Sequence, residues 1–331
     1  MKRAELVLAT PSGIDRAVHA LAAGELIGLP TETVYGLAAD ASNPEAVARI
    51  FSAKGRPTDH PVIVHVAADN DLSAWAAEVN EDARRLMAAF WPGPLTLIFP
   101  RAPGVLDLVT GGQSTVGIRC PSHPVAQALL KAWQGGVAAP SANRFGRISP
   151  TTAEHVRAEF PEQIALVLEG GPCEVGIEST IVDVSGGEPV VLRPGKVSRQ
   201  ALEAVLGKPV RLRESVSQTP RVSGALAAHY APRTPLRLLS AEDVKPALEG
   251  ARRDGVSAGV WAFQPIADAA VERAPAEPDA YAQALYATLR RLDAAGHEVL
   301  LLEAPPRTPE WAAIWDRLGR AAVGSGPDQR D

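Results

Sequence analysis

Cysteine is nearly absent: Cys120 and Cys173 stand alone and far apart in 331 residues, with no C-x-x-C pair. Neither a disulfide framework nor a zinc knuckle follows from them, and a reduced cytosol is the expected setting. Long apolar runs are missing too. The opening MKRAELVLATPSG has an apolar stretch that is short and broken by Pro11, so it does not read as an export signal, and no later run approaches a membrane span. The expectation is a soluble, cytoplasmic chain. Positive charge is in deficit, with 33 Lys plus Arg against 38 Asp plus Glu, so no global basic field recruits nucleic acid. Neither G-x-x-x-x-G-K-[ST] nor G-x-G-x-x-G occurs, so any nucleotide has to be held by side chains and short turns. What is present is 46% hydrophobic residues over more than one average domain length, ample for two cores, without an internal repeat.

The chemistry concentrates in residues 24–66, GELIGLPTETVYGLAADASNPEAVARIFSAKGRPTDHPVIVHV. The apolar runs 26–29 and 62–66 read as buried strands, being short, branched and bounded by Pro and Gly. After the first, PTETVYGL sets two hydroxyls and a carboxylate where a strand ends and the chain must turn, which is where open α/β sheets bind ligands. Asn43-Pro44-Glu45 is a helix start, with an Asn cap and Pro at the first helical position, and the helix should stop near Gly55. Its exit carries Lys54, Arg56 and His60 on a stretch stiffened by Pro57 and Pro61, a set suited to a polyanion such as a nucleotide phosphate. Lys before Gly is equally an ordinary helix end, favoured by the macrodipole and a left-handed cap. His65, alternating with Ile63, fits either a hydrogen-bonded core residue or a ligand contact.

PTETVYGL, followed by K-x-R-P and I-V-H, resembles the YrdC-like family, the threonylcarbamoyl-adenylate synthases that begin a tRNA adenosine modification. W-P-G-P-L-T from Trp91, S-x-N at Ser141 and Asn143, and further matches extend the likeness to about Arg193. The later H-Y-A-P at His229 resembles the long, two-domain form. The resemblance implies a twisted mixed α/β sheet with flanking helices, plus a smaller C-terminal Rossmann-like α/β domain. The expected division is 1–207 catalytic, 208–234 linker or lid, and 235–331 C-terminal. Independently, strand-like and helical stretches alternate from Leu236 onward, which predicts a small parallel-sheet domain. Residues 211–224, RLRESVSQTPRVSG, lack apolar periodicity and read as linker, and the tail 324–331 reads as disordered. Residues 69–90 read as mostly helical.

Read from the residues alone, Arg119 at a strand end is an ordinary ion-pair partner, Pro140-Ser141-Ala142-Asn143 is a turn, and Ser149-Pro150-Thr151-Thr152 starts a helix. A Ser141 nucleophile is not expected, since there is neither a G-x-S-x-G elbow around it nor an evident His partner. The resemblance assigns more. It implies that Lys54 and Arg56 stabilise the polyphosphate as the catalytic cations, and that His60, Thr115, Ser141, Asn143, Ser149, Arg193 and Tyr230 contact ATP. Thr33, His65, Arg119 and Ser179 would hold threonine, with Arg119 the natural clamp for its carboxylate. His229 and Tyr230 would fold over the first domain as a lid, or else anchor the second.

The implied reaction condenses L-threonine, bicarbonate and ATP into threonylcarbamoyl-adenylate and pyrophosphate, for a downstream tRNA threonylcarbamoyl transferase complex. Magnesium is expected to ride in on ATP, with no dedicated carboxylate cage; Glu32 is at most a water-mediated contact. Two positions depart from the family pattern: His60 stands where Asn is usual, and Ser223-Gly224-Ala225 replaces Pro-Gly-Met. A nonenzymatic RNA-binding or translation-regulating module is the rival reading. It predicts a basic groove, against which the acidic balance counts. A carbamoyl transferase of the hydrogenase-maturation type would need zinc-finger regions that two lone cysteines cannot supply.

Overall fold

The computed structural model describes residues 4–216, 219–267 and 269–326, in two compact units. The first holds the chain up to Phe145 and again Ser149–Ala225; the second holds Gly146–Ile148 and the chain from Leu226 onward. The segment 208–234, expected as one linker, is therefore divided at Ala225: its first part goes with the first unit, its last nine residues with the second.

In the first unit the described strands are β1 (Glu5–Leu8), β2 (Ile27–Leu29), β3 (Gly36–Asp40), β4 (Ile63–His65), β5 (Leu95–Pro100), β6 (Thr115–Arg119), β7 (Val137–Ala138), β8 (Leu166–Glu169), β9 (Thr180–Asp183), β10 (Val190–Arg193) and β11 (Arg211–Leu212). They form one mixed sheet in the order β1-β8-β2-β3-β7-β4-β6-β5-β9-β10-β11. The central strands are buried along most of their length, which is why they read as continuous apolar runs. Asn43 caps the helix Pro44–Lys54 by accepting from the backbone of Glu45 and Ala46; Val47, Ile50 and Phe51 face the core, and Gly55, at φ +63°, closes it. That left-handed residue fixes where Lys54 ends up.

Two expectations need correction. Within 69–90 only Glu81–Phe90 is helical, capped by Asn80. Earlier, Asp71 accepts from the backbone and hydroxyl of Ser73, a local bond that competes with the helical ladder. Residues 211–212 are not wholly irregular: they add β11 in parallel to β10 at the sheet edge.

The second unit contains β12 (Leu236–Leu239), β13 (Ala258–Ala262), β14 (Glu272–Arg273) and β15 (Val299–Glu303), all paired in parallel in the order β12-β15-β13-β14. Helices Ala241–Arg253, Pro278–Ala294 and Ala312–Gly324 accompany them, as the alternation in the sequence predicts. Of the tail expected to be disordered, Gly324 ends the last helix and 327–331 lie outside the described residues. Among the described residues no helix is long and apolar enough to cross a membrane.

Candidate active site

The turn between β2 and β3 is polar yet buried: Thr31, Glu32 and Thr33 are 2%, 3% and 0% exposed. Buried polar groups need internal partners, and these have them. Thr31 donates to the Val34 carbonyl at 2.5 Å and shares a 2.9 Å bond with the Thr33 hydroxyl. Arg119, the last residue of β6, reaches the same turn: Nη1 donates to Thr33 Oγ1 at 2.7 Å, and Nη2 lies 2.6 Å from Glu32 Oε1. Glu32 Oε2 also accepts from the backbone of Ser122. Glu32 is thus the partner of Arg119, a role not foreseen. A buried guanidinium without that carboxylate would carry a large desolvation cost.

Parallel register places His65 of β4 beside Arg119 of β6, and antiparallel register places Thr96 of β5 opposite Arg119 on its other side. Burial, followed by the Arg119 charge, pushes the His65 pKa down to about 3, so this imidazole is neutral at physiological pH. Thr96 Oγ1 lies 2.8 Å from Ser179 Oγ, which carries the arrangement into the loop before β9. There Arg193, the last residue of β10, donates from Nη2 to the Ser179 hydroxyl at 3.1 Å and to its carbonyl at 2.9 Å. Strands β4, β6 and β10, the turn after β2 and the loop before β9 thereby align Thr33, His65, Arg119, Ser179 and Arg193.

The cationic side joins this row through Ser223. Arg193 Nη1 donates to the Ser223 carbonyl at 2.9 Å, and Arg56 Nη2 to its hydroxyl at 3.3 Å. Arg56 also bonds the Pro61 carbonyl at 2.8 Å and lies over the Phe145 ring, against which His60 packs edge-on. Lys54, 3% exposed, donates from Nζ to the carbonyls of Ser141 and Asn143, each at 2.5 Å. Burial and then the nearby Arg56 charge hold its pKa well below the ordinary lysine range. His60 is lowered as well, by burial and Arg56, with Asp59 opposing. Ser149 donates to Glu178 Oε1 at 2.5 Å, next to Ser179 in sequence. Thr115 begins β6 and lines a narrow cleft with Ile63, Gly117, Ile181, Val222 and Ser223.

These contacts bring most of the expected residues together within the first unit. Tyr230 is the exception. It belongs to the second unit, 1% exposed, with its ring 5.7 Å from Tyr286 and beneath the Arg317 guanidinium. His229 stacks edge-on against it at 4.2 Å. These ring contacts of the pair are packing inside the second unit. Thr96, Glu32, Glu178 and Ser223 were missed. Thr96 offered one signal, a hydroxyl interrupting the apolar run 95–99; Ser223 offered another, its departure from the family's Pro.

A family model described as Telomere recombination, covering Sua5, YciO and YrdC, matches residues 19–195, and one described as Threonylcarbamoyl-AMP synthase, C-terminal domain, matches residues 197–323. The chain is 39% identical over 326 residues to the threonylcarbamoyl-AMP synthase of Bacillus subtilis, covering 94% of this chain and 93% of that one. It is similar to the crystal structure of Pyrococcus abyssi Sua5 complexed with L-threonine, with a TM-score of 0.90 and 33% identity over 98% of this chain and 99% of that one. Escherichia coli YciO matches 59% of this chain and 97% of its own, with a TM-score of 0.51 and 26% identity. The chain belongs to the Sua5, YciO and YrdC family, in the form that carries the threonylcarbamoyl-AMP synthase C-terminal domain.

Proposed function

We propose that this chain is an L-threonylcarbamoyladenylate synthase, condensing L-threonine, bicarbonate and ATP and releasing pyrophosphate. The observation that carries this reading is the row that runs from Thr33 and Arg119, across the β6–β5 register to Thr96, and then by contacts through Ser179 and Arg193 to Ser223 and Arg56. It joins a site for a small amino acid to a site for a polyanion. The names of the similar proteins, and the threonine in the Pyrococcus complex, agree with it.

At one end Arg119, charge-balanced by Glu32, faces the threonine carboxylate, and Thr33 and Ser179 take its remaining polar groups. His65 stays neutral and adds no charge beside the amine. The unprotonated amine attacks bicarbonate, water leaves, and a carbamate forms. A carbamate oxygen then attacks the α-phosphorus, and the bond to the β-phosphate oxygen breaks. Negative charge grows on the departing pyrophosphate, where Arg56 and Arg193 supply fixed positive charge and Lys54 adds its own once the phosphates beside it favour the ammonium. Ser141, Asn143, Thr115 and Ser149 orient the nucleotide, and His60 flanks the phosphates. Magnesium enters bound to ATP as part of the substrate. The product passes to a tRNA threonylcarbamoyl transferase complex.

The test is pyrophosphate release by purified protein given ATP, Mg²⁺, bicarbonate and threonine. Release should fall to background when threonine or bicarbonate is withheld; release indifferent to either omission overturns the assignment.

A further inference from the structure

A hydroxyl carries one proton and two lone pairs, so its protein partners decide what it has left for a ligand. The two hydroxyls of the threonine row, those of Thr33 and Ser179, each meet one further hydroxyl, and all four residues lie in the first unit.

In the turn after β2 the order of protons is forced. Thr31 Oγ1 lies 2.5 Å from the Val34 carbonyl oxygen, which can only accept, so the Thr31 proton is spent there. The Thr31 oxygen is an acceptor to everything else around it, including the N–H groups of Thr33 and Val34, each at 3.3 Å. In the 2.9 Å contact between Thr31 Oγ1 and Thr33 Oγ1 the donor is therefore Thr33. Thr33 Oγ1 also accepts from Arg119 Nη1 at 2.7 Å, which takes one of its lone pairs. One lone pair and no proton remain, so Thr33 meets a ligand as an acceptor.

Ser179 has the opposite polarity. Its Oγ accepts from Arg193 Nη2 at 3.1 Å and lies 2.8 Å from Thr96 Oγ1. Thr96 sits in β5 at 0% exposure, and among the described residues the Ser179 hydroxyl is the one hydrogen-bond partner of its side chain. A buried proton without an acceptor forfeits its only bond, so Thr96 donates and Ser179 accepts. Both lone pairs of Ser179 are then occupied while its proton is left over. Ser179 meets a ligand as a donor.

We infer that Thr31 and Thr96 are positioning residues that fix the polarity of the amino-acid site, so that Thr33 accepts from the substrate amine and Ser179 donates to the substrate's side-chain hydroxyl oxygen. This rests on the reading above, in which Arg119 takes the carboxylate and Thr33 and Ser179 take the remaining polar groups. The amine has protons to give and needs its lone pair for bicarbonate, so it belongs against the acceptor. The hydroxyl oxygen can accept, which sets it against Ser179. Thr96, held away from solvent in the strand, thereby contributes to the choice of an amino acid that carries a hydroxyl.

The experiment measures amino-acid Kd by calorimetry on the full chain, together with kcat and the KM for threonine and ATP. Thr96→Val, which keeps a branched side chain in the strand, should raise threonine Kd and KM by roughly 3- to 10-fold, the scale of one neutral hydrogen bond. The ATP KM and kcat should stay within about twofold on this scale. Thr96→Ser, which keeps the hydroxyl, should restore the wild-type values, and Thr96→Ala removes the same group should valine unfold the protein. 2-Aminobutyrate, which has the amine and carboxylate but no hydroxyl, should bind wild type and Thr96→Val alike. Thr31→Val should instead weaken both amino acids by a similar factor, since both carry the amine. The double variant Thr96→Val/Ser179→Ala should bind threonine as Ser179→Ala does, because Thr96 acts through that one oxygen. Wild-type threonine affinity in folded Thr96→Val or Thr31→Val overturns the inference, as does additivity in the double variant or an equal loss of 2-aminobutyrate in Thr96→Val. Wild-type protein that binds threonine yet releases no pyrophosphate refutes the proposed function but leaves these Kd comparisons valid.

Discussion

Lys54 gives up solvent on every side and takes two backbone carbonyls in exchange. Its folded pKa lies below the unfolded value, so between the two the unfolded chain holds the extra proton and stability rises with pH. A polyphosphate beside this amine reverses the shift, because an adjacent anion favours the ammonium. ATP binding should therefore take up a proton, increasingly so as pH climbs toward the ordinary lysine range. Calorimetry in buffers of different ionisation enthalpy measures the uptake directly, and Lys54→Met should abolish it while weakening ATP. Proton release on binding, or uptake that survives in Lys54→Met, would assign the effect to another group. The cation itself was legible from its place before Gly55 and in K-x-R-P. Its burial was not, because the carbonyls that satisfy it come from residues 141 and 143, nearly ninety positions away. The same holds for Arg119, readable as an anion-binding candidate, and for Glu32, whose pairing with it depends on register between strands distant in sequence.

At the level of elements, the site is a set of strand ends brought level by a mixed sheet, and the turns after them decide whether those ends stay level. Gly195, just beyond β10, is an example. A Cβ there would lie 2.4 Å from the Thr180 N and 2.7 Å from the Ser179 carbonyl carbon, both backbone atoms that cannot swing aside. Gly195→Ala should destabilise the fold by about 1–3 kcal/mol, the usual cost of overpacking, and displace Ser179. Urea unfolding measures the first effect. The second should appear as a threonine KM raised more than that of ATP, and a variant with wild-type stability would show that the loop yields. Strands and helices with strong periodicity were legible from the sequence, including the whole alternation of the second unit. The stretch 69–80 was not, since apolar residues there suggested a helix while the Asp71 carboxylate accepts from the backbone N–H and hydroxyl of Ser73 instead.

For the whole molecule, the informative fact is the path of the chain, which passes between units after Phe145, after Ile148 and after Ala225. A boundary drawn from composition alone could find only the last of these, because 146–148 carry no linker signature and are claimed by bonds to residues from 231 onward. Truncation after Ala225 removes those partners while keeping Arg221–Ser223. The shortened chain should fold, as a chain of about that extent does in YciO. Its threonine affinity, measured by calorimetry, should match that of the full protein, since the proposed threonine residues all lie in the first unit. The order of synthesis adds a consequence. Domains emerging from the ribosome fold from the N-terminal side first, so the sheet of the first unit is finished while most of the second unit is still untranslated. A nascent chain would thus complete the proposed threonine row, from Thr33 to Ser223, well before termination.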